Sequence, residues 1–330
     1  MRAYRTYVTR VEARVLHALR SDRCCLKEEF AGLLNGDPTA ELRKAIDLSA
    51  RRAAGLFFTG RQTARMAIRS WPMRASSVRV VFDPACGAGD LLLAVARRLP
   101  VLESLVATLD LWGERLRGVD QHQEFVQLAK ARLVALALCR GSDAGRDSVH
   151  LKTLFRHIEC ADGLRNSKHY GAADWIILNP PYHQVSASED CEWATGKITC
   201  AARFYWAALL NANCGTHITA ILPDVLRTGS RYSKWRKMIE SYAAIDSVRL
   251  LGVFDDRTDI HVFILNVVKR KSSKEATGRW WIDKHKQAAL TVGALYDVHV
   301  GSVVPHRDPK RGPLCSYIHA RSVPAWGACR

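Results

Sequence analysis

Residues Trp175 to Val185 read WIILNPPYHQV: an apolar run, then Asn179, two prolines and Tyr182. Proline fixes its own φ and pushes the residue before it toward extended conformations, so Asn179 and Pro180 are both extended and stiff. The Asn179 side-chain oxygen and the Pro180 carbonyl can then act as two preset acceptors. Pro181 completes the rigid pair, and Tyr182 offers a flat platform. A group that needs two acceptors and a stacking face is an exocyclic amine on a planar ring. Its lone pair is delocalised into the ring, and accepting its two hydrogens favours the tetrahedral form that can attack an electrophile. Taken alone, the same four residues also make a Pro-Pro turn that stops an edge strand.

Three carboxylates precede this motif at comparable places. VVFDPACGAGDLLLA puts Asp83 at the end of a β-branched run, with Gly87 and Gly89 in the turn and a helix beginning near Leu91. Such a turn can press its backbone against a nucleotide-like ligand. RGVDQ places Asp120 at the next strand end, where a carboxylate can accept both hydroxyls of a ribose. IECADGL places Asp162 at the one after that. Each acid singly is also an ordinary helix cap. In succession, with Asn179 as the fourth, they occupy the strand ends beyond which ligands of open α/β sheets bind.

These ends require a particular scaffold. VRVVFDP, RLRGVD, FRHIECADG, DWIILNPPY, THITAILP and HVFILNVVKR read as strands. LLLAVARRL, QEFVQLAKARLVALAL, ARFYWAALLNAN and SKWRKMIESY carry helical periodicity. Alternation of the two predicts an α/β fold with a doubly wound, mostly parallel sheet. The expected organisation is a helical segment over 1–50, a catalytic domain over 51–270 and a short basic extension over 271–330. No internal repeat or low-complexity tract interrupts it.

The chain has 330 residues, 48% of them hydrophobic and 25% charged, which is the composition of a folded protein rather than a disordered one. No apolar run approaches the roughly 18 residues of a membrane span. The Arg-rich start, MRAYRTYVTRVEARVLHALR, lacks a secretory core and reads as a surface helix, although transit peptides share its character. Ten scattered cysteines without C-x-x-C spacing predict reduced thiols and no metal site. The net charge of +17 divides as +8 over 1–78, −1 over 79–226 and +10 over 227–330. A neutral centre between basic flanks predicts a reaction core whose arms meet a polyanion, nucleic acid first.

Together DPACGAGD and NPPY resemble the cofactor loop and catalytic motif of the S-adenosylmethionine-dependent DNA methyltransferases that modify adenine N6. GLFFTGRQTARMAIRSW is similar to the segment that often reads F-T-P in that family, with Gly60 in the place of the proline. ILPDVLRTGSRYSKWR and VFDDRTDIHVFILNVVKR look like later blocks of the restriction-linked enzymes, and the order resembles the subgroup with a C-terminal recognition region. Carried over, the resemblance implies a seven-stranded class I methyltransferase sheet. Thr59, Asp83, Ala85, Gly87 and Asp90 would surround the methionine part of S-adenosylmethionine, Asp120 would hold its ribose and Asp162 its adenine, with Phe58 also among the cofactor-binding residues. Asn179, Pro180, Pro181 and Tyr182 would hold a target adenine swung out of double-stranded DNA. The implied partners are that duplex and a specificity subunit or cognate restriction endonuclease, in the cytoplasm and on the nucleoid through DNA. Methylation of RNA guanine N2 or of protein glutamine uses the same two-acceptor chemistry and is the alternative. A catalytically silent relative that binds DNA or a partner is another.

Overall fold

The computed structural model describes residues 1–20, 26–70, 80–141, 153–165, 167–188, 191–255, 258–272, 280 and 295. The chain divides into two compact units, Met1–Ile282 and Asp283–Arg330. Most of the expected 271–330 extension therefore lies outside the described residues. In the first unit, helices α1 (Arg2–Ala18), α2 (Leu26–Glu29), α3 (Asp37–Ala45), α4 (Leu48–Ala54) and α5 (Arg61–Ala67) precede any strand. Then β1 (Val81–Asp83), α6 (Asp90–Ala96), α7 (Leu105–Arg115), β2 (Leu116–Asp120), α8 (Gln123–Cys139), β3 (Ile158–Cys160), α9 (Ser167–Ala172) and β4 (Trp175–Leu178) alternate. A small antiparallel pair, β5 (Gln184–Ser186) and β6 (Lys197–Thr199), interrupts the order. After it come α10 (Cys200–Asn211), β7 (His217–Pro223), α11 (Val225–Thr228), α12 (Ser233–Tyr242), β8 (Ala243–Asp255) and β9 (Thr258–Lys269).

Seven strands form one sheet in the order β3-β2-β1-β4-β7-β9-β8. β3, β2, β1, β4 and β7 run parallel, while β9 pairs antiparallel with both β7 and β8. This is the doubly wound, mostly parallel α/β sheet that the strand and helix patterns predict. All four side chains of β4 are buried, as an apolar run with no polar alternation requires of a central strand. A buried polar chain ties it sideways. Trp175 Nε1 donates to Thr219 Oγ1 at 3.0 Å, Thr219 Oγ1 to Asn266 Oδ1 at 2.8 Å, and Asn266 Nδ2 to Ser247 Oγ at 2.9 Å.

α8 is buried along almost its whole length. α1 lies against it and buries Tyr4, Val8, Val11 and Val15, a stripe at helical spacing. Burial of each such side chain contributes about 1.5–3 kcal/mol relative to exposure. The N-terminal helix is thus half core rather than a surface helix, and residues 1–50 belong to the same compact unit as the sheet.

Candidate active site

The carboxyl ends of four adjacent strands, β3, β2, β1 and β4, carry Asp162, Asp120, Asp83 and Asn179. Parallel pairing brings these ends to one side. A cavity of about 270 Å³ opens there, lined by Phe58, Ala85, Gly87, Asp120, Asn179 and Pro181 among others. Gly87 turns through it at φ +50°, and a Cβ at that residue would come within 3.1 Å of the Phe58 ring. Only glycine lets the loop and that ring approach so closely. Phe58 is held in turn by Phe125, edge to face at 5.0 Å.

Asp120 fixes the glycine loop as well as lining the cavity. Its Oδ2 accepts the Gly87 N–H at 3.0 Å, and its Oδ1 the His122 N–H at 2.8 Å. Each oxygen keeps a second lone pair for a ligand hydroxyl. Asp83 is buried one strand away, with Oδ1 accepting the Ala85 N–H at 3.1 Å. Burial pushes its carboxyl up to about 8, and the charges of Asp120 and Asp90 push in the same direction. Burial raises Asp120 too, against the N–H groups that favour its ionised form. Pro84 and Ala85, next to Asp83, line the cavity, as do Ala161 and Gly163 on either side of Asp162. Asp162 itself accepts the Leu164 N–H at 2.9 Å.

Asn179 is gripped from both ends. Its Nδ2 donates to Thr59 Oγ1 at 2.9 Å, and its Oδ1 accepts the Tyr182 hydroxyl at 2.6 Å. Thr59 thereby sets the orientation of the amide. Nothing among the described residues donates to the Pro180 carbonyl. Tyr182 departs from the platform expected of it. It is not among the residues lining the cavity; its hydroxyl reaches Asn179 and the Ile221 carbonyl at 3.2 Å, and its ring packs edge-on to Phe254 at 5.6 Å. One hydroxyl proton cannot serve both oxygens at once, and the shorter contact is to Asn179.

Asp90, expected near the methionine part of the cofactor, has both oxygens engaged by the protein. Its Oδ1 pairs with Arg132 at 2.9 Å, and its Oδ2 accepts the Gly60 N–H at 2.7 Å. It lines a different cavity from Gly87 and Asp120. Gly60 explains the difference from F-T-P: at φ +72° it adopts a conformation closed to proline, and it uses an N–H that proline lacks.

Two cavity residues were not singled out from sequence. His183 follows the NPPY motif directly, its Nδ1 is buried without a hydrogen-bond partner among the described residues, and burial lowers its pKa. Arg203, a lone cation in the apolar helix α10, also faces the cavity. Their adjacency to the motif, and a charge in an apolar helix, were the available signals. Among the described residues no group of three or more His, Cys, Asp or Glu is placed to hold a metal ion. None of the described helices is long and apolar enough to cross a membrane.

A model of the N-6 DNA methylase family matches residues 44–293. The chain belongs to this family. No curated protein matches it by sequence. Among solved structures it is similar to a modification subunit assigned to a type I restriction enzyme from Vibrio vulnificus YJ016, at 18% identity and a TM-score of 0.50. That likeness covers 71% of this chain and 47% of that one. A DrdV–DNA complex gives 16% identity and a TM-score of 0.54 over 70% and 28% of the two chains. The type IIG restriction endonuclease BpuSI gives 19% and 0.51 over 72% and 28%. At these identities the likeness is one of fold. The chain spans about half the length of the Vibrio subunit and under a third of the other two.

Proposed function

We propose that this chain transfers a methyl group from S-adenosylmethionine to the N6 amine of an adenine swung out of duplex DNA, as the modification enzyme of a restriction-modification system. One observation carries the reading: Asn179, its amide oriented by Thr59, stands at the rim of the cavity that Gly87 and Asp120 line. The residues present fit the cofactor. The Gly87 loop leaves backbone-close space, Asp120 retains acceptor capacity for ribose hydroxyls, and Phe58, Pro84 and Phe204 give apolar walls for planar rings. When bound, S-adenosylmethionine supplies an electrophilic methyl on a sulfonium cation.

The chain's own residues prepare the nucleophile. The remaining lone pair of Asn179 Oδ1 and the free Pro180 carbonyl accept the two amine hydrogens, drawing the nitrogen toward the tetrahedral form. Tyr182, neutral because burial raises its pKa far above the ordinary value, competes for Asn179 Oδ1 until the base arrives. Arg203 and His183 border the space a base would enter. Sequence choice is assigned to a separate subunit in this reading, because one structure of similar fold is a modification subunit assigned to a type I restriction enzyme.

The test is transfer of labelled methyl from S-adenosylmethionine to mixed genomic DNA, with nucleosides separated afterwards. N6-methyladenine is expected from the wild type. Asn179→Ala should lower it at least roughly 100-fold, the scale of losing one preorganised polar contact to the transition state. Label appearing instead in guanosine of total RNA or in glutamine of extract proteins would overturn the reading.

A further inference from the structure

A second cavity, of about 260 Å³, lies among α5, α6 and α8 and shares no lining residue with the first. Five arginines line it, Arg61, Arg65, Arg97, Arg98 and Arg132, against one acid, Asp90. That acid is already committed: one oxygen to Arg132 at 2.9 Å, the other to the Gly60 N–H at 2.7 Å. Arg132 is fully buried and also donates to the Leu33 and Ala88 carbonyls at 2.9 Å and 2.6 Å. Among the described residues Arg97 reaches the Leu34 carbonyl alone, at 3.3 Å. Arg61, Arg65 and Arg98 have neither an acidic partner nor a hydrogen-bond acceptor among the described residues.

Four guanidinium groups therefore border one space with no acid left to pair with them among the described residues. Guanidinium does not escape such crowding by losing its proton. Burial and the neighbouring charges of Arg61 and Arg132 already disfavour the charged form of Arg97. A bound anion would complete the arrangement by taking up donors that the protein leaves to solvent. Planar five-donor forks match phosphate oxygens two at a time.

We infer that this arginine-lined cavity is a phosphate-binding site, taking a phosphate of a nucleic-acid backbone or of a small phosphate ester. The inference does not depend on the proposed methyl transfer. Its position next to that machinery is direct: Arg61 follows Gly60, whose N–H binds the same Asp90, and Thr59 before it holds Asn179.

Calorimetric titration of the full chain with sodium pyrophosphate and with inorganic phosphate, at low and constant chloride, tests the site. Saturable one-site binding is expected. The triple variant Arg61→Gln, Arg65→Gln, Arg98→Gln, all exposed positions, should bind at least about tenfold more weakly. An equal loss of charge on α1 and just after it, Arg2→Gln, Arg10→Gln, Arg20→Gln, should leave binding unchanged, and both triples should melt with the wild type. No saturable heat in the wild type, or equal weakening in the two triples, overturns the site. Displacement of pyrophosphate by a short duplex, with a flatter salt dependence of duplex binding in the first triple, identifies backbone phosphate as the source. Duplex binding unaffected by that triple while pyrophosphate binding is lost identifies a small ester.

Discussion

Asn179 can discriminate an amine's hydrogens only if its oxygen, not its nitrogen, faces them, and Thr59 Oγ1 at 2.9 Å from Nδ2 enforces that choice. Thr59→Val keeps the shape and removes the acceptor. Loss of one such hydrogen bond, about 1.4 kcal/mol, should lower kcat roughly tenfold. The cofactor's KM should stay within about twofold, and Thr59→Ser should restore turnover. A fall confined to cofactor affinity would show that Thr59 serves the cofactor instead. Asp83 makes a different prediction. Its folded-state pKa of about 8 exceeds the ordinary 3.8, so between those values the native state holds a proton that the unfolded chain has released. Stability from this group therefore falls as pH rises from about 4 to about 8, then levels off. The melting temperature of the wild type minus that of Asp83→Asn should decline steadily from pH 5 to pH 8. A flat difference would mean Asp83 is ionised throughout. Neither residue's role could be read locally. Thr59 and Asn179 stand 120 positions apart, and the pairing of their side chains exists only once the helix after Gly60 packs beside the strand ends.

At the scale of elements, the turn into α5 depends on Gly60 for two separable reasons, a left-handed φ of +72° and an N–H bonded to buried Asp90. Space around the position is open, so Gly60→Ala meets only the backbone penalty, about 1–3 kcal/mol. Gly60→Pro, which would recreate F-T-P, forces φ to about −65° and deletes the donor, costing at least about 2 kcal/mol more. Chemical denaturation of the two variants checks the order; equal losses would sink the account. The elements that were legible share one property, an uninterrupted period. THITAILP and HVFILNVVKR became β7 and β9, and SKWRKMIESY became α12 residue for residue. β8 was not foreseen because three register shifts, between Ile245 and Ser247, Leu250 and Gly252, and Val253 and Asp255, break its two-residue alternation. α7 was missed because Arg115 passes straight into Leu116 of β2, with no glycine or proline to mark the change. At the site, the strand-end residues were legible through sheet topology. The commitment of Asp90 to Arg132 was not, since it requires α8 to be buried against α6.

Over the whole molecule, the charge surplus lies outside the near-neutral segment that carries β1 to β7, so any polyanion would be held by flanking parts while the centre reacts. The stretch from α11 through α12 shows how much of that surplus is available. Arg227 is paired with Asp224 at 2.8 Å, and Arg236 donates to the Leu226 and Gly229 carbonyls at 3.0 Å and 2.9 Å, so both brace the fold. Arg231 donates to the Thr195 carbonyl. Lys234 and Lys237 are exposed on α12, away from buried Trp235 and Ile239. If the flanks neutralise about five phosphates, the affinity for duplex DNA should fall roughly 500-fold between 50 and 200 mM salt, from a slope near −0.9 per contact. Lys234→Glu with Lys237→Glu should weaken binding at low salt and reduce the slope by about two, whereas Arg227→Gln should act mainly by lowering the melting temperature. Filter binding across a salt series separates these outcomes. An unchanged slope in the lysine double variant would mean that α12 faces away from the duplex, and that the basic charge doing the binding belongs to other parts of the chain, the arginine-lined cavity first among them.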